Sequence, residues 1–364
     1  MIQTGDRFSR GRVLRVENNQ GKGVMRRLSV LLWVVLVTTM LPTLLQSQGT
    51  FKGYMVSEYY NVPKHHDDSI EGRHGFWFRR IYITYDNKLA DNLKMRLRFE
   101  LNSPGEYLES QLLIPYVKDA WLNYNLGGVG HELIAGIQPS PTFSNIMDIW
   151  GYRALEKPPS DLYRFASTRD LGVALKGNLN SEKTISYHVM YGNGSANKAE
   201  VNRGKIIYTQ LGFRPAKGLY IELYADYETG NEDKRNYMLQ GFASYAKDWG
   251  RIGIQYAGLY LKSDGSKETL ELFSIFSVLK VSEKVECILR YDKMFDANPE
   301  AGSIAYLRFS PDAPSNLMIG ALSWQAAKNV WIIPNIKYVF YSMPDEGDKP
   351  GDDLYLNMTL WFKF

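Results

Sequence analysis

The sequence predicts an all-β protein, a transmembrane antiparallel β-barrel of about 16 strands. Three observations point there. First, the chain ends in a strand where Leu354, Leu356, Met358, Leu360, Phe362 and Phe364 alternate with Tyr355, Asn357, Thr359, Trp361 and Lys363. Such a strand leaves a sticky edge unless it is paired, and in a closed barrel the last strand pairs with the first. Second, the same period-2 alternation recurs along the chain, interrupted in turn by short turns and longer polar loops. Third, a leader of export type precedes it.

In the leader, Met25-Arg26-Arg27 runs into an apolar stretch over 28–37, followed by Pro42 and Ser47. A basic start, an apolar core, a helix breaker and a small residue describe a secretory signal peptide. Residues 1–47 are expected to be leader, cleaved after Ser47, with Met25 as an alternative start. A membrane anchor is the competing reading of that apolar run. Residues 48–364 are expected to form the barrel, placed in the bacterial outer membrane.

Beyond residue 50 no apolar run reaches the roughly 20 residues a membrane helix needs. The 25 tyrosines suit membrane interfaces. The leader holds seven of the 43 Lys/Arg and two of the 39 acidic residues, leaving 36 bases against 37 acids. That near-neutral remainder lacks the basic stripe of a nucleic-acid binder, so no nucleic-acid partner is expected. The single cysteine, Cys287, forms no internal disulfide and falls on an apolar strand face.

The clearest strand is Leu93-Lys-Met-Arg-Leu-Arg-Phe-Glu-Leu101, whose apolar residues share one face and whose charges share the other. A helix would scatter those charges around its circumference. A strand sends the apolar face to lipid and Lys94, Arg96, Arg98 and Glu100 to a wet interior. Segments at 219–228, 251–256 and 285–292 repeat the pattern. Short turns are expected at 86–91, 126–130, 180–183, 215–218, 247–250, 282–284 and 326–329. Longer polar loops are expected at 62–72, 102–115, 139–167, 192–202, 230–235, 263–267, 295–314 and 342–352. The short set would face the periplasm and the long set the outside.

Four stretches resist the pattern. Arg79 and Arg80 are adjacent, so one should face lipid unless it lies near an interface or a bulge re-aims it. Residues 268–281 read weakly as either element. Residues 304–309 fit an extra strand or a folded loop. Pro334 removes a ladder donor, so a bulge is expected there.

Lys94, Arg96 and Arg98 would stand roughly 6–7 Å apart on one wall, with Arg80 on the neighbouring strand and Lys337 and Lys363 from elsewhere. Stacked cations attract anions, because a low-dielectric wall focuses their field. Glu100, Asp119, Glu222, Asp226, Glu286 and Asp292 also face inward in this register. The favoured expectation is a polar lumen whose charges pair across strands.

Phe78-Arg-Arg-Ile-Tyr-Ile-Thr84, Val117-Lys-Asp-Ala-Trp-Leu-Asn-Tyr124, His131 to Pro141 and Arg169-Asp-Leu-Gly-Val173 resemble, in order and spacing, the phosphate-selective porin O/P family of bacterial outer membranes. The resemblance implies 16 strands, a homo-trimer, and a third extracellular loop folded inward to narrow the pore. Here that loop is 139–167, with Arg153, Lys157 and Arg164 as its expected pore-lining cations. It also implies that the last strand, ending on Phe364, is read by the barrel-assembly machinery, within lipid and lipopolysaccharide. The family often carries a basic residue after its Gly-x-Gln; Gly136-Ile-Gln138 runs instead into Pro139-Ser140-Pro141, which puts phosphate selectivity in doubt.

The function expected is passive diffusion of small hydrophilic solutes, with anions preferred. The alternative is a non-conducting structural or adhesive barrel that binds a partner through its loops. No enzymatic nucleophile motif and no cofactor motif is present. His65-His66-Asp67-Asp68 is expected to hold no metal, because adjacent side chains rarely converge on one ion. The acidic run 345–353 reads as a solvated loop.

Overall fold

A computed structural model describes residues 49–110, 112–230, 235–263 and 265–364. The expected leader, 1–47, lies outside the described residues. The first eight strands are β1 (Thr50–Asn61), β2 (His74–Ala90), β3 (Leu93–Asn102), β4 (Ile114–Gly127), β5 (His131–Pro139), β6 (Arg169–Asn178), β7 (Ile185–Gly192) and β8 (Lys205–Ala216). The second eight are β9 (Leu219–Thr229), β10 (Arg235–Lys247), β11 (Gly250–Ser263), β12 (Ser266–Lys280), β13 (Val285–Met294), β14 (Ser315–Ala327), β15 (Val330–Tyr341) and β16 (Asp353–Lys363). Two short helices, α1 (Ser144–Trp150) and α2 (Pro159–Leu162), lie between β5 and β6.

Each strand pairs antiparallel with its sequence neighbours, and β1 pairs with β16 to close a sixteen-stranded barrel. The seam runs from Tyr54↔Lys363 to Tyr59↔Met358. Gly53 and Phe364 exchange backbone hydrogen bonds of 2.9 and 3.0 Å at its end. Closure satisfies the edge that the terminal strand would otherwise expose.

The two faces separate as alternation requires. On β16, Leu356, Met358 and Leu360 are exposed on the outside, while Tyr355, Asn357 and Thr359 are buried inside. The exposed apolar band continues through Val189, Ile207, Leu223, Leu239 and Ile254. Exposed rings flank it at both ends: Tyr191, Tyr227, Tyr237 and Tyr256 toward the long loops, Tyr124, Trp249 and Trp324 toward the short turns. An apolar belt between aromatic girdles on a closed barrel is built for a bilayer, and it places the protein in the bacterial outer membrane.

Most connections fall where the sequence puts them, with two corrections and two open alternatives decided. The connection at 263–267 is not a long loop, since β11 runs to Ser263 and β12 restarts at Ser266, paired with each other. These strands overrun the apolar belt, where water bathes both faces and strand residues are polar. Residues 268–280 belong to β12. Pro334 causes no bulge: Ala321↔Asn335 and Trp324↔Ile332 share one register across β14–β15, and the shift falls instead at Gln325/Ala327. The proline, exposed on the lipid face, merely interrupts the ladder to β14, while its pairing with β16 is unbroken. Residues 304–309 form a folded loop, not a strand, with Ile304, Leu307 and Phe309 buried.

Two bulges shape the interior. Between β1 and β2 the partners step from Val56↔Arg80 to Ser57↔Phe78, leaving Arg79 as an extra residue. Between β3 and β4 they step from Arg98↔Asp119 to Phe99↔Val117, leaving Lys118 extra. A bulge lets two successive side chains point the same way. Arg79, Arg80, Lys118 and Asp119 are accordingly all buried.

Gly136 on β5 has φ +123°, and a Cβ there would sit 2.1 Å from the carbonyl oxygen of Ala120. Neither the dihedral nor the gap admits a side chain. Gly136→Ala is expected to open the β4–β5 ladder and lower the yield of folded barrel severalfold. Heat-modifiable mobility on gels measures it, and wild-type yield would contradict this account.

Candidate pore

The segment 140–168 leaves β5 and returns to β6 through a pinned neck. Ser140 N–H donates to the Thr168 carbonyl at 3.1 Å, and its hydroxyl to the Ser167 carbonyl at 2.7 Å. From there it bonds to inward-facing side chains of six strands and packs against a seventh. Thr142 Oγ1 donates to Tyr224 OH at 2.8 Å, and Asn145 Nδ2 to Glu222 at 2.9 Å. Arg251 Nε donates to the Ile149 carbonyl at 2.6 Å, and the Tyr152 hydroxyl donates to Glu286. Trp150 packs edge-on to Phe276 with ring centroids 5.0 Å apart. Ser160 Oγ bonds Gln240 at 2.7 Å, and Arg290 donates to the Lys157 carbonyl at 2.5 Å.

The strongest attachment is ionic. Glu156 takes Arg79 at 3.0 Å from β2 and Lys337 at 2.7 Å from β15. Arg79 also donates to the Leu155 carbonyl at 2.7 Å and reaches Glu58 at 3.3 Å. All four charged groups are buried. Burial pushes the Glu156 carboxyl up, but Arg79 and Lys337 outweigh it and hold it well below the usual carboxylate range. Asp161 is likewise held down, with Arg153 and Lys157 overcoming its burial.

A second segment, 295–314, packs beside the first. Tyr163 and Phe309 face each other at 5.3 Å, Asn298 Nδ2 donates to the Tyr163 carbonyl at 2.9 Å, and Arg164 pairs with Glu300 at 3.1 Å.

On the other side, between α1 and β3–β8, a cavity of about 630 Å3 remains. Its lining carries Arg96, Arg98, Arg169, Lys176 and Arg214 against Glu132 and Asp148, with Gln138, His188 and Gln210 between them. Arg96 is held by Asp86 at 2.6 Å and Lys176 by Glu132 at 3.1 Å. Arg98 (3.1 Å) and Arg169 share the buried Asp119. Two guanidiniums on one carboxylate leave a net positive charge at that wall. Arg214 lies over the Tyr220 ring at 4.8 Å. Asp148, on α1, is pushed up by burial.

Of the residues singled out from the sequence, Arg96 and Arg98 line this cavity. Lys94 is exposed on the same face of β3, opposite Lys88 and Asn123. Arg80 pairs with Glu100 at 3.0 Å and donates to the Arg153 carbonyl at 3.2 Å. Arg153 pairs with Asp161, Lys157 lies beside that carboxylate, and Arg164 ties the two segments together. Lys337 joins Glu156 and not the basic wall, and Lys363 lies over Trp361 at 4.3 Å. The charges pair across strands, as favoured from the sequence.

Arg169, Lys176 and Arg214 were not anticipated. The alternation of Leu171, Val173 and Leu175 on the lipid side already places Lys176 inside. Nothing local marks Lys118, whose aim depends on a bulge; at Arg79 the bulge is the one the adjacent arginines called for as an alternative.

The fold defines a class: a transmembrane outer-membrane barrel of sixteen antiparallel strands. No protein-family model and no curated protein matches the chain. Among solved structures it is similar to the anion-selective porin from Comamonas acidovorans, at 12% identity and TM-score 0.65, over 88% of this chain and 100% of that one. It is similar to the outer membrane channel DcaP of Acinetobacter baumannii, at 13% identity and TM-score 0.60, over 87% and 97% of the two chains. The trimer form of OmpT from Vibrio cholerae matches at 13% identity and TM-score 0.58, over 87% and 99%. At such identities the likeness is one of fold.

Proposed function

We propose that this protein is a porin-type channel for small hydrophilic solutes, that it prefers anions, and that it works as a homo-trimer. The observation that carries this reading is the cavity of about 630 Å3 inside a closed barrel, with five cations against two acids on its lining. A cationic wall in a low-dielectric tube raises the local concentration of anions. In this reading 140–168 is the constriction, and its ties to Glu222, Arg251, Arg79 and Lys337 hold it across the lumen. Placement in the phosphate-selective porin O/P family rests on the sequence motifs quoted above. A channel is favoured over a hydrolase, since neither His131 nor His188 stands in a nucleophile–base arrangement: His131 bonds Tyr187 at 2.8 Å.

In planar bilayers the folded protein is expected to give discrete conductance steps. Under a potassium chloride gradient its zero-current potential should take the sign of chloride permeation. Folded protein without steps would overturn the channel.

One observation favours the alternative, a non-conducting barrel. Inward-facing Met190, Tyr208, Tyr224, Gln255, Asp292, Leu317 and Lys337 are all buried, as against a water-lined wall. Excising 144–162 separates the readings. A constricted channel already conducts and would conduct more; a plugged barrel would conduct only after excision.

A further inference from the structure

The loop between β1 and β2, at 62–73, turns back over the barrel seam at the long-loop rim. The β1–β16 ladder stops at Tyr59↔Met358, yet an isolated bridge Lys64↔Leu354 resumes it farther out, with Leu354 N–H donating to the Lys64 carbonyl at 2.8 Å. That bridge brings His65 and His66 onto Asp353, the first residue of β16. One nitrogen of each imidazole and one oxygen of the carboxylate lie within 4.8 Å of one another.

Two further observations mark this cluster. Asp353 is fully buried, and among the described residues no lysine or arginine pairs with it. Its partners are the His66 backbone N–H at 2.6 Å, His66 Nδ1 at 2.9 Å and the Tyr341 hydroxyl, which donates at 2.6 Å. A buried carboxylate needs a compensating positive charge. His65, only 4% exposed, has a buried Nε2 with no hydrogen-bond partner. A buried carboxylate with no lysine or arginine beside it and an orphaned imidazole nitrogen thus lie a few ångströms apart.

We propose that His65, His66 and Asp353 bind one divalent transition-metal cation of the zinc type, clasping the β1–β2 loop to β16 across the barrel seam. Two imidazoles and a carboxylate form a donor set that such ions accept, with a fourth position left to water. Tyr341 orients the carboxylate from behind, the usual job of a neighbour to a metal ligand. The ligand atoms must close to the roughly 2.0–2.2 Å bond lengths zinc takes with nitrogen and oxygen, which side-chain rotation supplies. The Asp67 N–H donates to His65 Nδ1 at 2.9 Å, which places that ring's proton on Nε2. Binding at Nε2 therefore shifts the proton to Nδ1 and turns the Asp67 amide away, so the loop changes shape on loading. The adjacent histidines alone would not suffice; the third donor comes from a residue near the other end of the chain.

The test is calorimetric titration of zinc ion into the folded, chelator-stripped full chain, with trypsin cleavage after Lys64 and Arg73 as a second readout. One saturable ion per chain is expected, together with a changed rate of loop cleavage. His65→Gln and Asp353→Asn should abolish both effects. Tyr341→Phe, which keeps all three ligands, should weaken binding about tenfold. His188→Gln, inside the lumen, should change nothing. Absence of saturable binding would overturn the proposal. So would binding that His65→Gln and Asp353→Asn leave unchanged, which would mean adsorption elsewhere. Should either variant misfold, Tyr341→Phe decides: unaltered affinity there rejects the clasp.

Discussion

Glu156→Ala is expected to loosen the segment 140–168 and destabilise the barrel by about 3–5 kcal/mol, the usual cost of removing one partner from a buried ionic network. The substitution strands Arg79 and Lys337 without their shared carboxylate. Glu58 still reaches Arg79, at 3.3 Å, but Lys337 keeps no acidic partner among the described residues. The midpoint of thermal unfolding in detergent measures the loss, and in bilayers the same variant should show larger or noisier conductance. Unchanged stability together with unchanged conductance would mean that the network does not anchor the segment. The pH dependence follows with a definite sign. A carboxyl whose folded pKa is depressed contributes stability that is fully present above its unfolded value and is lost as pH falls through the folded one. Because Glu156 is held well below the usual range, acidification from pH 7 to 5 should leave the wild-type segment in place. Release of the segment over that interval would contradict the assignment.

Neutralising Lys176 and Arg214 together, as glutamines, is expected to move the zero-current potential strongly toward cations. These two are the better probes of selectivity for a structural reason. Arg98 and Arg169 share the fully buried Asp119, so removing either disturbs a packed charge cluster as well as the field. Lys176 is part-exposed and paired only with a part-exposed Glu132, and Arg214 lies on an aromatic ring. Their loss subtracts positive charge from the cavity with little folding penalty, since partly exposed pairs contribute little to stability. Arg96→Gln should shift the potential less, because Asp86 already compensates it through two hydrogen bonds of 2.6 and 2.9 Å. A double-variant shift of only about twice that of Arg96→Gln would show that net lumen charge, not local pairing, sets selectivity.

How far the sequence could be read is clearest at particular strands. β3, β9, β13 and β16 were legible residue by residue, because a membrane barrel forces one face into lipid and tolerates no polar intruder within the belt. β12 was not, because its outer end overruns the belt and the lipid constraint ends there. Lys118 was illegible for another reason, and at Arg79 the adjacent arginines marked a break in alternation without deciding between an interface position and a bulge. A bulge is a property of two strands in register, so the structure decides it.

The candidate site divides along the same line. Arg96 and Arg98 were readable from parity on one strand. Glu156 was not, as its partners come from β2 and β15, and nothing in the local pattern of a loop says which walls it will meet. His65 and His66 waited on Asp353 in the same way.

Alternation, turn spacing and composition settled the barrel, its lipid face and nearly all its connections, since each is a one-dimensional record of which side of a strand meets lipid. The filling of the lumen, the sharing of Asp119 between two arginines and the meeting at the seam rest on pairing between distant residues. Such pairing is decided by closure of the sheet, which brings β1 and β16 side by side.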